Sequence, residues 1–170
     1  ADLDLTDYLS EGGDGWNGGA GWLPIGTSTA GNNAFPTDTN IKPFSGIFKG
    51  MGHTISGLWI NRQMENGVGL FGVVKDAVIT NLHLVIDNEN SANAGSGNEG
   101  VTNTARIGVN GMANVGGLVG CAISTNAGGT RIEKCSVTAV NSEKTAISSV
   151  GHRQSNFSYT GGLIGGNGES

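Results

Sequence analysis

Apolar positions along this chain come in short runs in which β-branched residues and leucine alternate with small or polar residues, the period-two pattern of half-buried strands. The runs repeat one another. One phrase, I-x-x-L-x-[LI], occupies Ile55, Leu58 and Ile60, returns at Ile79, Leu82 and Leu84, and returns again as Ile132, Cys135 and Val137. A second, G-L-x-G, runs from Gly69 to Gly72, from Gly117 to Gly120 and from Gly162 to Gly165. The two alternate in the same order, which marks a stacked repeat whose units bury their apolar faces against their neighbours. The stretch from Phe44 to Leu84 holds the minimal unit, with 24 residues from Ile55 to Ile79. From Ile79 to Ile132 the distance is 53 residues, and most of the excess lies in a polar, Gly/Asn/Ser-rich segment between Leu84 and Val115. Smaller additions lie at Ser124 to Thr130 and between Val137 and Tyr159, and insertions at equivalent corners leave the core period intact.

The elements predicted are therefore strands alone, giving an all-β chain built as a parallel β-solenoid, with rungs about 4.8 Å apart. Its core is expected as the columns Ile55/Ile79/Ile132, Leu58/Leu82/Cys135, Ile60/Leu84/Val137 and Leu70/Leu118/Leu163. Glycines at the corners, Gly69, Gly72, Gly117, Gly120, Gly162 and Gly165, are assigned to sharp turns that use positive φ. Residues 1–20 read as an acidic, Gly-rich lead-in that caps the first unit, and residues 21–170 as the repeat domain. Between the two, GWLPIGT at 21–27 is a strand that Pro24 confines to an edge or a start, and Thr27 to Pro43 is a polar loop. After Gly162 to Gly165 the next I-x-x-L-x-L phrase is missing. An unpaired edge is expected there, covered by a partner or by further repeats of a longer protein.

Composition changes the picture in three ways. Glycine numbers 31 with only 3 Pro and 36% hydrophobic residues, which excludes a collagen period and simple disorder and requires many tight turns. A net charge of -5 with nine scattered Lys and Arg argues against nucleic acid and against anionic membranes as partners. No apolar run approaches the roughly 18 residues of a membrane span. The chain opens without a charged-then-apolar leader, so a signal peptide is expected to have been removed already. Cys121 and Cys135 are read as free thiols, Cys135 buried in its column, in preference to a disulfide.

Candidate chemistry is sparse. Asp2, Asp4, Asp7, Glu11 and Asp14 surround a GGDGWNGG turn, and Asp14 is the centre of a possible Ca2+ site; a solvated cap is preferred, with no cofactor required. In the repeat register Asp76 falls beside Gly52 and Gly129, and Glu133 beside Ser56 and Thr80, so neither has the acidic neighbour that glycosidic acid/base chemistry needs. The loop carboxylates Asp38, Asp87, Glu89, Glu99 and Glu143 remain as possible partners. His53, His83 and His152 sit in unlike contexts, no H-E-x-x-H or G-x-S-x-G is present, and T-x-T ladders are absent. Asn156-Phe157-Ser158 fits a glycosylation sequon. One column invites a ligand: Trp59 and His83 occupy the same outward position of successive units, a platform for a sugar ring. The competing and preferred reading packs Trp59 beneath the loop from Thr27 to Pro43.

W-x-P-I-G at 22–26, FSGIFKGMGHTISGL at 44–58, V-G-L-F-G at 68–72 and V-G-G-L-V-G at 115–120, followed by I-x-x-C-x-V, resemble the GLUG repeat family over about residues 21 to 166. That family occurs in large exported bacterial proteins, adhesin-like and IgA-peptidase-like. The resemblance implies a right-handed β-helical, non-catalytic passenger or stalk segment. Lys49 departs from the family's acidic residue before Gly-x-Gly-His, and the insertion after Leu84 lies outside its pattern. The expected function is a non-enzymatic extracellular module of a bacterial surface or secreted protein that binds a cell-surface glycan or protein. The alternatives are a carbohydrate-active β-helix or an accessory segment of a secreted peptidase.

Overall fold

Valine-, isoleucine- and leucine-rich segments pair side by side and in parallel, each with a segment from elsewhere in the chain rather than with its sequence neighbour. The computed structural model describes residues 1–28, 41–91, 105–106, 108–125, 128–149 and 159–169. A lead-in carries β1 (Leu3–Asp4), β2 (Thr27–Ser28) and β3 (Ile41–Lys42). A first round then supplies β4 (Ile47–Leu58), β5 (Ile60–Val68) and β6 (Phe71–Lys75), and a second supplies β7 (Val78–Ile86), β8 (Val109–Gly116) and β9 (Val119–Ser124). The third has five short strands, β10 (Arg131–Glu133), β11 (Ser136–Ala139), β12 (Ile147–Ser149), β13 (Thr160–Gly161) and β14 (Ile164–Glu169). The only helical element among the described residues is a 3-10 turn at Asn17–Gly19.

Each round gives strands to the same three parallel sheets. The first sheet runs β1-β4-β7-β10, with β11 also on β7; the second joins β5 and the pair β12 and β13 to β8; the third runs β14-β9-β6. Side chains from all three meet in one cluster, among them Leu58, Ile79 and Leu82 from the first, Val68 and Val109 from the second, and Phe71 and Val119 from the third. Each such aliphatic side chain contributes roughly 1.5–3 kcal/mol by leaving water. The antiparallel pair β2/β3 brings Ile41 onto Val73, Cys121 and Ile123, a separate small cluster on the third sheet.

The pairing corrects the expected columns. Ile132 lies beside Ile79 and Val137 beside Leu84, but Phe48, not Ile55, lies beside Ile79, and Ile55 lies beside Leu84. The cause is local. Strand β4 has register shifts between Lys49 and His53 and between Ile55 and Leu58, where Met51 (φ 54°), Gly52 (φ 80°) and Gly57 (φ 74°) take left-handed conformations. Extra residues bulged out of one strand displace all that follow on it. Before the shifts Phe48 and Ile79 are 31 residues apart and after them Leu58 and Ile86 are 28 apart, so a round is 28–31 residues long where the phrases suggest 24. Glu133 lies beside Thr80 as expected, but Lys49 rather than Ser56 is on the strand beyond.

The corner glycines also act differently from expectation. None of Gly69, Gly72, Gly117, Gly120, Gly162 and Gly165 has a positive φ. Crowding selects glycine at all of these but Gly162: a Cβ at Gly120 would lie 2.3 Å from the Val68 nitrogen, and one at Gly165 would lie 2.5 Å from the Val115 nitrogen. Backbone of one round presses on backbone of the next, and a methyl group does not fit between. The left-handed positions go instead to Asp76, Asn81, Arg106, Asn114 and Lys134, among others.

Two excursions are tied at their bases. Asn88, fully buried, donates through Nδ2 to the carbonyls of Asn141 (2.8 Å) and Lys144 (3.1 Å) and accepts from the Asn141 N–H (2.9 Å). Asp76 accepts from the Thr125 N–H at 2.8 Å, closing the segment that precedes Thr130. In the third round the addition does not sit only at a corner, because β12 and β13, on either side of residues 150–158, both pair with β8.

Candidate functional site

Trp59 ends up inside the molecule, 2% exposed, and the outward platform with His83 does not form. His83 lies beside Thr54 and Ser136 and shares a 2.7 Å hydrogen bond between its Nδ1 and the Ser136 Oγ. The offset between the rounds is 29 residues at this point, not 24, and so sets Thr54 rather than Trp59 beside His83. Among the described residues Trp16 and Gly21 lie over Trp59; residues 29–40 of the loop expected to cover it lie outside the described residues. The Trp16 ring meets the Trp59 ring edge-on at 5.6 Å. Gly21 (φ +68°) lets the chain cross the indole, because a Cβ there would come within 2.8 Å of Trp59 ring carbons. Trp22 then donates its backbone N–H to the Trp59 carbonyl (3.2 Å) and its Nε1–H to the Leu70 carbonyl (3.0 Å), while Tyr8 sits edge-on to Trp22 at 6.3 Å.

Beside this aromatic joint lies a cleft of about 210 Å³. Thr6, Leu9, Ser10, Glu11 and Trp16 line it from the lead-in. The opposite wall is Trp59, Asp87, Ala105 and Arg106. Arg106 (φ 56°) donates Nε–H to Asp87 Oδ2 at 2.7 Å; the Asp87 side chain is 6% exposed and the Arg106 side chain 47%. Asn90 holds the same neck, donating to the Arg106 carbonyl (2.9 Å, backbone) and the Ala105 carbonyl (3.1 Å, side chain). Thr6 Oγ1 donates to Asp4 Oδ1 at 2.6 Å, and Ser10 Oγ donates to the Asp7 carbonyl at 2.7 Å. The Thr6 hydroxyl holds the Asp4 carboxyl below its ordinary value, and the Thr54 N–H does the same for Asp2. A second hollow of about 370 Å³ lies by Asp76, Val78, Gly128, Gly129 and Arg131.

The five lead-in carboxylates do not converge. Asp2 binds the Thr54 N–H and approaches His53 at 3.4 Å, Asp4 binds Thr6, and Asp14 is exposed. Among the described residues no three His, Cys, Asp or Glu side chains form a group able to hold a metal ion. His152, Asp38, Glu99 and the sequon at 156–158 lie outside the described residues. Cys121 is buried and Cys135 half-buried, both free, and burial pushes the Cys121 thiol up to about 12. The cleft was hidden from sequence reasoning because its two walls come from a segment outside the repeat and from the neck of an insertion. The one signal available was the tryptophan content, 3 residues, all within the first 59.

These features define an all-β chain built from parallel sheets, with an aromatic joint between its first segment and its first round. Over 127 residues it is 33% identical to halomucin of Haloquadratum walsbyi, a match covering 71% of this chain and 1% of halomucin. Over 87 residues it is 38% identical to a Gly-rich membrane protein of Evansella cellulosilytica, covering 51% of this chain and 8% of that protein. The chain thus spans a small fraction of these curated relatives. No family model matches it, and no solved structure does. No helix among the described residues is long and apolar enough to cross a membrane.

Proposed function

We propose that the chain is a β-solenoid of the GLUG-repeat kind and serves as a non-catalytic, extracellular scaffold in a larger bacterial surface or secreted protein. The observation that carries this reading is the repeated visit of three successive rounds to the same three sheets, a frame in which each round rests on the one before it. Excursions of different length leave that frame at necks held by Asn88, Asp87 and Asp76, so sequence can vary outside the core while the pairing is kept. The relatives named above, a halomucin and a Gly-rich membrane protein, fit a place at the cell envelope. The module's partner is a glycan or protein met outside the cell.

Antibody raised against the purified chain should label intact source cells, and protease applied to those cells should remove the label. The same purified chain should release neither reducing ends nor unsaturated products from a panel of polysaccharides. Labelling confined to lysed cells would overturn the location, and turnover of any polysaccharide would replace the scaffold with a carbohydrate-active β-helix.

A further inference from the structure

We infer that the cleft between the lead-in and the Asp87–Arg106 neck is a binding site for one uncharged sugar ring. This adds a site to the scaffold reading, and its failure would leave that reading standing. The cleft is small, about 210 Å³, against the roughly 300–1,000 Å³ of sites that take drug-sized ligands, so it suits a single pyranose rather than a chain.

Its polar atoms are of both kinds. Arg106 spends Nε on Asp87, which fixes the guanidinium plane and leaves its two η nitrogens as donors. Thr6 and Ser10 have committed their hydroxyl protons to Asp4 and to the Asp7 carbonyl, so toward the cleft their oxygens act as acceptors, as does the exposed Glu11 carboxylate. A sugar hydroxyl donates one hydrogen bond and accepts others, and a ring carrying several of them can satisfy donors on one wall and acceptors on the other. The half-buried Trp16 indole, steadied edge-on by Trp59, offers an apolar surface for the C–H face of the ring.

Charge selects within the class. Glu11 and Asp87 both line the cleft, against the single Arg106, so an acidic sugar meets net repulsion. A cationic one gains little, because Asp87 is already paired with Arg106 and Glu11 is exposed to solvent. The uncharged ring is what remains.

The test follows the indole N–H signal of Trp16 by 15N NMR while methyl β-D-glucopyranoside, methyl β-D-galactopyranoside, methyl α-D-mannopyranoside and methyl β-D-glucuronide are titrated separately to about 100 mM. At least one neutral glycoside should shift that signal saturably, with Kd on the order of 1–10 mM for so small a ligand, and the glucuronide should bind at least about tenfold more weakly. Arg106→Gln should weaken the neutral ligand about tenfold through loss of charge-assisted donors. Because that change also strips Asp87 of its partner, Glu11→Gln, at an exposed position, is the second variant, and it should narrow the discrimination against the glucuronide while leaving the melting temperature unchanged. No saturable shift with any neutral glycoside, a glucuronide affinity equal to or above theirs, or a Glu11→Gln protein with unaltered selectivity would overturn the assignment.

Discussion

The two ends of the sheet stack differ in how they are finished. At the first end the lead-in lies on round one: Leu3 and Asp4 pair with Ile55 and Ser56, Gly21 bridges Ile60, and Ile25 bridges Phe71. Leu5 and Leu9 are buried in the same layer, and Leu58, Ile60 and Phe71 beneath it are 0% exposed. At the other end β10, β12, β13 and β14 have partners on one side alone among the described residues. There Ile132, Cys135, Val137 and Leu163, expected as closed core columns, are half-buried. The phrases of the third round are as apolar as those of the second, yet they are less enclosed. In a stacked architecture a round's burial is a property of its neighbours, since each unit covers one face of the next.

The largest effect should come from emptying equivalent core positions in the two regions. Leu118, on the corner between β8 and β9, is 0% exposed, and Leu163 is its half-buried counterpart one round later. Leu118→Ala should cost about 3 kcal/mol, because the cavity left in a closed core adds to the lost transfer energy. Leu163→Ala should cost about 1 kcal/mol, since part of that side chain already meets water. Equilibrium denaturation in urea with matched m-values reads both. Equal losses would mean that the third round is as closed as the second, and the contrast between the ends would fail.

How much of this was legible from sequence depends on whether repetition or exception set the position. The 53 residues from Ile79 to Ile132 are the offset at which β7 and β10 pair, and the G-L-x-G phrases lie beside one another from round to round, with the Leu70 and Leu118 N–H groups donating to the Gly117 and Leu163 carbonyls of the next phrase. Short apolar strands and glycine-marked corners carry that information because identical phrases must repeat when identical neighbours stack. The β4 bulge had no such signal. Lys49-Gly50-Met51-Gly52 carries no repeat phrase, and the register shift it introduces shows only against the strand alongside. Trp59 was misplaced because the 24-residue phrase spacing is shorter than the 28–31-residue round, and the residues packed on it, Trp16 and Gly21, belong to a segment without repeat phrases. The glycines were located by pattern but explained by the wrong cause, because close approach between rounds is invisible until the rounds are stacked.

That cause gives a smaller and sharper contrast. A Cβ at Gly117 would lie 2.6 Å from the Gly162 carbonyl oxygen and 2.6 Å from Val137 Cγ1, whereas one at Gly162 would meet nothing within 4 Å. Neither residue has a positive φ, so alanine is free of backbone strain at both. Gly117→Ala should destabilise by about 1–3 kcal/mol through overpacking. Gly162→Ala should be neutral or stabilise by about 0.5 kcal/mol, by reducing the freedom of the unfolded chain. A penalty at Gly162 equal to that at Gly117 would require a layer pressed against the third round, and thermal melts of the two single variants decide it.

The smallest perturbation uses the two thiols the chain already has. Cys121, in β9, packs with Val73 and Ile123 under Ile41, and burial raises its pKa to about 12. The thiolate is the reactive form, so near pH 8 only about one molecule in ten thousand carries it at that position, and no reagent reaches it without opening the third sheet. Cys135 stands in the third round, half-buried, with its sulfur 3.4 Å from the Glu133 carbonyl oxygen. Labelling with a thiol reagent at pH 8 should therefore consume one cysteine quickly and the other at the rate of unfolding, with peptide mapping placing the fast label on Cys135. Because the folded pKa of Cys121 lies well above that of an unfolded thiol, raising the pH toward 9 favours the unfolded chain and should not expose the second thiol in the native one. Equal labelling rates would show that the middle of the third sheet opens as readily as the last round of the first, and stacking would then no longer account for the difference between the two regions.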